Sequence, residues 1–491
     1  MSRPLFHMID DEQVKRILDE ACNVLEKVGV LIENDNALDL LHGAGAPVTK
    51  DSRKAFFPHS LVEKCLGTAP KSITMYDRNG EPAMHLEGDA IHFNPGSSAL
   101  TVLDWNTRRQ RTPVTQDLID FSRVTDSLQN LAAQSTCLIS SDVPKEVGDR
   151  YRLFIALLHS SKPIVTGTFS LDGFAPMRDM LLAVRGSEEK LREKPLAIFD
   201  CCPTSPLKWS NLTCKDLMDC ARAGIPAQII SMPMTGATSP GTIAGTLVQL
   251  TAEILSGIVI HQLVQPGAPV IWGGSATAFD MRFGTTPMGA METMMIDAAY
   301  ARIAKSLGLP THAYMALSDS KLLDFQAGME TGMGAVMAAL SGVNVISGPG
   351  MLDFESCQSL EKLALDNEIC GMALRLVKGI QLRQGALGED LYGDIYDGEY
   401  FLTSPTTLRW LREEFIFPSE LIERESYPIW LAQGGKSAGD RAHAHVREML
   451  SRQVENPFDA DFLRELTRIM SAEAKRYGAD SLPTEGTDRQ F

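Results

Sequence analysis

PIVTGTFSLDGFAPMRDMLLAVRGSEEKLREKPLAIF (residues 163–199) holds one complete beat of the pattern that decides the fold. A short apolar run, Pro163–Thr168, is followed by a stretch of helical length, Ala175–Arg185, and then by a second apolar run, Pro195–Phe199. Continuous apolar runs belong to strands covered on both faces, and strands separated by helices pair in parallel through right-handed crossovers. Working outward, the beat recurs from His92 to Gly371, giving eight runs in all. The others are Ala90–Asn94, Leu131–Ile139, Pro226–Met232, Pro269–Trp272, Pro310–Leu317 and Val343–Ser347. Between them lie Gln116–Ser127, Val147–Ser160, Ile243–Val264, Met288–Leu307 and Ala327–Leu340. Eight such units predict an α/β chain with a (β/α)₈ TIM barrel over residues 90–380. Five of the runs open on proline, which suits a strand's first residue and not its middle. In a barrel, chemistry is sought just after each strand.

The flanks read differently. Residues 1–89 form a helical and β-ribbon cap: Asp10–Val28 places its apolar residues on one helical face, with short helices near 36–41 and 61–66. Ser72–Tyr76 and Ala83–Leu86 flank an Asn-Gly turn, a strong hairpin signal. Leu100–Asp104 and Arg111–Val114 form a second ribbon. Residues 381–491 form a C-terminal helical extension, with a loop at 398–406, helices over Thr406–Glu414, Gly439–Ser451 and Asp459–Ala474, and a polar, frayed tail at 482–491. Such elements build the outside of a barrel or an oligomer interface, so a homo-oligomer is expected.

Composition narrows the class. The formal charge of −16 over 491 residues argues against nucleic acid or an anionic membrane as partner. The N-terminus, MSRPLFHMIDDEQ, lacks the apolar core of a signal peptide. The charge-poor stretch from Ala223 to Ala252 contains Pro226, Pro233, Gly236 and Pro240, and reads as strand, loop and helix start instead of a membrane span. Nine cysteines without a paired spacing frame point to a reducing, cytoplasmic compartment.

The strand ends are rich in Gly, Met, Ser and Thr, and aromatic residues lie near several of them: Phe93, Phe199, Trp272, Tyr314 and Phe354. Aromatic faces converging on one point attract a quaternary ammonium, a cation that donates no hydrogen bond. The competing reading of each ring is core packing. A thiol–zinc site is the alternative chemistry, drawn from Cys137, Cys201, Cys202, His92 and His312. Adjacent cysteines in a strand point to opposite faces, so Cys201 and Cys202 share one ion only if the backbone turns between them. Gly328, Gly332 and Gly334 follow no strand directly and serve close helix packing. Asp280 and Arg282 form an ion pair near a strand end. No Ser–His–acid or phosphoryl-transfer arrangement occupies a usable setting.

Five segments, MPMTGATSPGTIAGT (232–246), GGSATAFDMRFG (273–284), SDSKLLDFQAGMET (318–331), GVNVISGPGMLDFES (342–356) and LALDNEI (363–369), resemble the trimethylamine methyltransferase family over nearly the whole chain. The resemblance implies a (β/α)₈ barrel that delivers a methyl group from a methylated amine to the cobalt of a separate corrinoid protein. Founding members carry pyrrolysine in the loop after strand 8, whereas Met351–Ser356 holds ordinary residues, with Asp353, Phe354 and Glu355 near that place. The chain therefore resembles the pyrrolysine-lacking branch, which demethylates quaternary amines: glycine betaine first, with proline betaine or carnitine as further candidates. The resemblance also implies no tightly held cofactor, since the corrinoid belongs to the partner and no DXHXXG-type cobalt-ligand motif is present. A betaine carboxylate needs a donor, for which Arg282, His312 and His92 are the nearest cations, with Asn94 and Ser347 as neutral donors. Gly236, Gly274, Gly348 and Gly350 would form the rim that receives the corrinoid domain.

Overall fold

The computed structural model describes residues 3–383, 387–392, 401–452 and 460–483. Eight parallel strands form where the apolar runs stand: β1 (His92–Asn94), β2 (Gln134–Ser135), β3 (Ile164–Thr166), β4 (Ala197–Cys201), β5 (Ala227–Ser231), β6 (Val270–Gly274), β7 (His312–Tyr314) and β8 (Val345–Ser347). Each lead-in proline sits one or two residues outside its strand, where its carbonyl is still used. Pro226 accepts from the Phe199 amide at 2.9 Å and Pro269 from that of Ala227 at 3.1 Å. The strands form two arcs, one running β2-β3-β4-β5-β6 and the other β7-β8-β1. The arcs meet at both seams through single parallel bridges, Phe93 to Leu131 and Trp272 to Thr311. The uniform eight-strand ladder expected from the sequence is thus broken at two seams, each with a strand of only two or three residues on at least one side.

Strand parity decides what faces the interior. Ala133, Val165, Ile198, Ile271 and Val345 pack with Ile73, Met75, Met84 and Leu86 in one apolar cluster. The last four come from the antiparallel hairpin of Ile73–Tyr76 and Pro82–Leu86, so this ribbon plugs the N-terminal end of the strands. The two glycines of β6 confirm the alternation. A Cβ on Gly273 would lie 2.4 Å from the Ile230 side chain, whereas one on Gly274 would lie 2.6 Å from the Tyr300 ring on the outer helix Met291–Ser306.

The segment expected as a cap therefore divides. Its hairpin is the plug, while its three helices, Asp11–Lys27, Asp35–Gly43 and His59–Thr68, pack along one outer helix, Ile243–Val264. That helix is long and apolar enough to cross a bilayer, yet 78% of its apolar window is buried. Covering it is the work of the Val14, Ile17, Ala21 and Leu25 face of the first helix, whose start is fixed by an Asp10–Gln13 capping box. The second ribbon, Thr101–Asp104 with Arg109–Arg111, joins a small sheet with Cys357–Gln358 beside the loop after β8.

On the C-terminal side, helix Ala438–Ser451 packs on Leu360–Val377 and Thr115–Ser127, and helix Ala460–Arg476 packs on Phe174–Arg185 and Gly148–His159. Of the expected loop at 398–406, residues 398–400 lie outside the described residues, as do Asp459 and most of the expected tail, 484–491. Gly334 has the close-packing role expected of the glycine-rich helix, its α-carbon lying against the Met315 carbonyl, whereas Gly328 and Gly332 have no such neighbour. All nine cysteines are free thiols.

Candidate functional site

Beyond the apolar plug, the same inward parity turns polar. Asp200 follows Ile198 on β4, Gln228 projects from β5, His312 and Tyr314 from β7, Asn94 from β1 and Ser347 from β8. The Gln228 amide donates to Asp200 Oδ1 at 2.8 Å and the Tyr314 hydroxyl to Oδ2 at 3.4 Å, the latter crossing from one arc to the other. Ser97, in the loop after β1, meets the Tyr314 hydroxyl at 2.9 Å and donates its amide to Glu355 at 3.4 Å. One layer deeper, His312 Nε2 pairs with Ser347 Oγ at 2.9 Å, and Ser347 donates to Asn94 Oδ1 at 2.8 Å.

Glu355 arrives by an unusual backbone route. Asp353, Phe354 and Glu355 hold φ values of 52°, 57° and 67°, three consecutive non-glycine residues in the left-handed region. The turn is held by the Asp353 amide on the Ser320 carbonyl at 2.9 Å and by Lys321 on Asp353 at 3.3 Å. It folds the Glu355 side chain back toward Ser97 and Asp200.

The result is a recess lined by Asp200, Cys202, Ser97 and Glu355, each partly accessible, with Tyr314 behind them. Burial lifts the Asp200 carboxyl to about 7, against the pull of Gln228, Arg152 and Tyr314. Burial also lifts Glu355 to about 8; the Ser97 amide opposes this and the charge on Asp200 adds to it. Among the described residues neither carboxyl has an ion-pair partner. Arg152 stands beside them from helix Gly148–His159, donating to the Thr136 carbonyl at 2.8 Å. Burial lowers it to about 10, which leaves it charged at neutral pH.

Of the five aromatic candidates, the interior receives Tyr314. Phe93, Phe199 and Trp272 have the opposite parity and face the helices; Phe199 meets Phe174 at 5.4 Å. Phe354 lies at the rim with its ring already covered by the Lys321 ammonium at 3.7 Å. Of the proposed carboxylate donors, His312, Ser347 and Asn94 meet in one hydrogen-bonded chain, while Arg282 and His92 stand apart from it. Arg282 is 79% exposed and chelates Asp280 at 2.7 and 3.0 Å. His312 is buried, pushed down to about 3 by that burial, and therefore neutral. His92 is at the opposite end, against the His85 backbone of the plug.

The zinc candidates scatter likewise. Cys202 faces the recess, while Cys201 has the helix-facing parity and pairs with Cys220. Cys137 contacts Met351 and Gln358, and burial pushes both it and Cys202 above the usual thiol range. Among the described residues, the one trio of metal-ligand types with its atoms gathered is Glu420, His445 and Glu448, on the C-terminal segment. Of the four rim glycines only Gly236 is exposed; Gly274, Gly348 and Gly350 are buried against Tyr300, Ala316 and Gln358.

Asp200, Glu355 and Arg152 were not among the predicted site residues. The signals were an acid in an otherwise apolar strand and arginines inside an apolar helix.

The family profile for trimethylamine methyltransferase matches residues 1–477. The chain belongs to that family. A trimethylamine methyltransferase MttB of Desulfitobacterium hafniense is 31% identical over 468 residues, covering 95% of this chain and 94% of the relative. A glycine betaine methyltransferase of the same species is 29% identical over 479 residues, covering 97% and 99%. The crystal structure of the Methanosarcina barkeri monomethylamine methyltransferase aligns with a TM-score of 0.45 and 11% identity over 96% of this chain and 94% of that one.

Proposed function

We propose that this family member moves a methyl group from a quaternary amine, with glycine betaine as first candidate, to the Co(I) of a separate corrinoid protein. We read its two strand arcs as one (β/α)₈ barrel. The observation that carries the proposal is the unpaired carboxyl pair, Asp200 and Glu355, in a recess beside Tyr314. Two carboxyls held near neutrality by burial ionise when a permanent cation enters, and the cation gains their field without having to donate a hydrogen bond. The relative named for glycine betaine supports the substrate class, as do the ordinary residues Asp353, Phe354 and Glu355 near the loop position expected for pyrrolysine.

The corrinoid supplies the nucleophile, an electron-rich cobalt that takes the methyl group in an in-line displacement. A quaternary ammonium leaves as a neutral tertiary amine, so no acid catalyst is required. Asp200 and Glu355 hold the cation, the Tyr314 hydroxyl reaches Asp200 and Ser97 from behind, and the recess aims one methyl toward the opening. Alignment of this kind is worth on the order of 7–11 kcal/mol at most. Met281, Phe283 and Phe325, in loops and a helix start after β6 and β7, are 72%, 75% and 83% exposed, which supports docking of the corrinoid protein over that rim. Exposed Ile380, Leu382, Leu408 and Phe415 support a homo-oligomer contact through the C-terminal segment.

The test is an anaerobic assay with reduced cob(I)alamin and single amines, following methylcobalamin by absorbance. Transfer from glycine betaine and not from trimethylamine is expected. No transfer from any quaternary amine, with stoichiometric zinc in the protein, would contradict the proposal.

A further inference from the structure

Helix Gly148–His159 buries two arginines two residues apart, and they are treated in opposite ways. Arg150 is surrounded by carboxylates: Asp149 at 2.9 Å, Asp172 at 3.3 Å and Glu473 at 2.9 Å. Arg152, 3% exposed, has no carboxylate within ion-pair distance among the described residues. Its one short hydrogen bond is to the Thr136 carbonyl at 2.8 Å. The contacts to Ser98 Oγ and the Gly167 carbonyl are both 3.4 Å, and Nε has no hydrogen-bond partner among the described residues. A buried guanidinium is expected to be paired, and five donors served by one good acceptor leave capacity for an anion.

Its position is between the C-terminal ends of β2 and β3, next to the recess, within the field of Asp149 first and then of Cys137, Asp200 and Tyr314. Phe169, in the loop after β3, covers the guanidinium at 4.2 Å and is itself 45% exposed. That loop is tied down by the Phe169 amide on Asp149 at 2.8 Å. The neighbouring cation, Arg150, is already committed to Asp149 and its other carboxylates.

We propose that Arg152 reads the carboxylate of the substrate, so that the recess takes a zwitterion, with its quaternary ammonium on Asp200 and Glu355 and its carboxylate on Arg152. The assignment rests on the quaternary-amine reading and sharpens it: the preferred substrate carries an anion, and the residue that selects it is neither Arg282 nor His312. The long contacts to Ser98 and Gly167 are the ones a carboxylate would replace.

The experiment is equilibrium binding by calorimetry, without any corrinoid, of glycine betaine, choline and tetramethylammonium. Choline keeps the trimethylammonium group and lacks the carboxylate. The proteins are wild type, Arg152→Gln, Arg152→Lys and Phe169→Ala. Wild type is expected to prefer glycine betaine, and Arg152→Gln to lose about 10²-fold for it, the scale of a charge-assisted pair. Choline should change by less than about 3-fold in the same variant, as for a change outside its contacts, and Arg152→Lys should recover part of the loss. If Arg152→Gln does not fold, Arg152→Lys and Phe169→Ala carry the test. The latter should weaken glycine betaine selectively by roughly 3- to 30-fold, because the guanidinium loses its ring cover. Equal weakening of all three cations, or wild-type binding without preference for glycine betaine, overturns the assignment while leaving the quaternary-amine reading in place. Wild-type binding of none of the three overturns both.

Discussion

The two ends of the strand array are built from the same inward parity and do opposite things. At the N-terminal end, Ala133, Val165, Ile198, Ile271 and Val345 close on a hairpin that brings only Ile73, Met75, Met84 and Leu86. Two residues further along β4, Ile198 gives way to Asp200, and carboxyls, a tyrosine and a guanidinium gather toward the opposite end, where no ribbon among the described residues forms a plug. The sealed end contributes burial, at roughly 25 cal/mol per Å² of apolar surface. The open end does the reverse, holding two carboxyls that burial pushes toward the neutral form and a cation without an ion-pair partner among the described residues. Apolar packing is concentrated at one end and buried polar and charged groups at the other.

Breaking the open end should have the largest effect. The double variant Asp200→Asn, Glu355→Gln is expected to lower kcat/KM for glycine betaine by at least about 10²-fold, mainly through KM, because the loss is of cation attraction. Steady-state kinetics with a thermal midpoint no lower than that of wild type would locate the defect in binding. Breaking the sealed end should reverse the pattern. Ile198→Ala or Met75→Ala is expected to cost about 2–5 kcal/mol by chemical denaturation, the range for buried aliphatic truncations, with KM for glycine betaine unchanged.

The contrast also predicts a pH signature. Glu355 is raised above its unfolded value, to about 8, so the folded state binds the extra proton between the unfolded and folded values. Stability from this group is therefore present at acid pH and lost as pH rises toward 8. Glu355→Gln, which cannot ionise, should melt higher than wild type at pH 8 and close to it at pH 5, as read by a thermal scan in each buffer. The smallest effect belongs to the rim: Arg282→Ala should leave KM for glycine betaine within about 2-fold, since that side chain is exposed and occupied by Asp280.

Much of the fold was legible, because a strand buried on both faces must be apolar throughout, and all eight runs became strands. Helix Ile243–Val264 formed over the expected residues. The short helix Tyr427–Ala432 was not, being too brief to show a period. Nor were the single-bridge seams, which depend on how two arcs curve together. The site was less legible for a specific reason. Nearness to a strand end does not reveal which way a ring points; strand parity does, and it sends Phe93, Phe199 and Trp272 to the helix side and Asp200 and Tyr314 inward. Glu355 depends on three left-handed residues that no side-chain pattern signals, and Arg152 on a helix whose neighbour, Arg150, is fully engaged.

The most direct test of the carboxyl pair as the cation site is calorimetric binding of glycine betaine in buffers of different ionisation enthalpy across pH 6 to 9. The account predicts net proton release near pH 7, affinity that rises as the pH passes through about 7 to 8, and loss of the proton release in the Asp200→Asn, Glu355→Gln variant. Binding with no proton release at any pH, and with the same affinity in that variant, would contradict it.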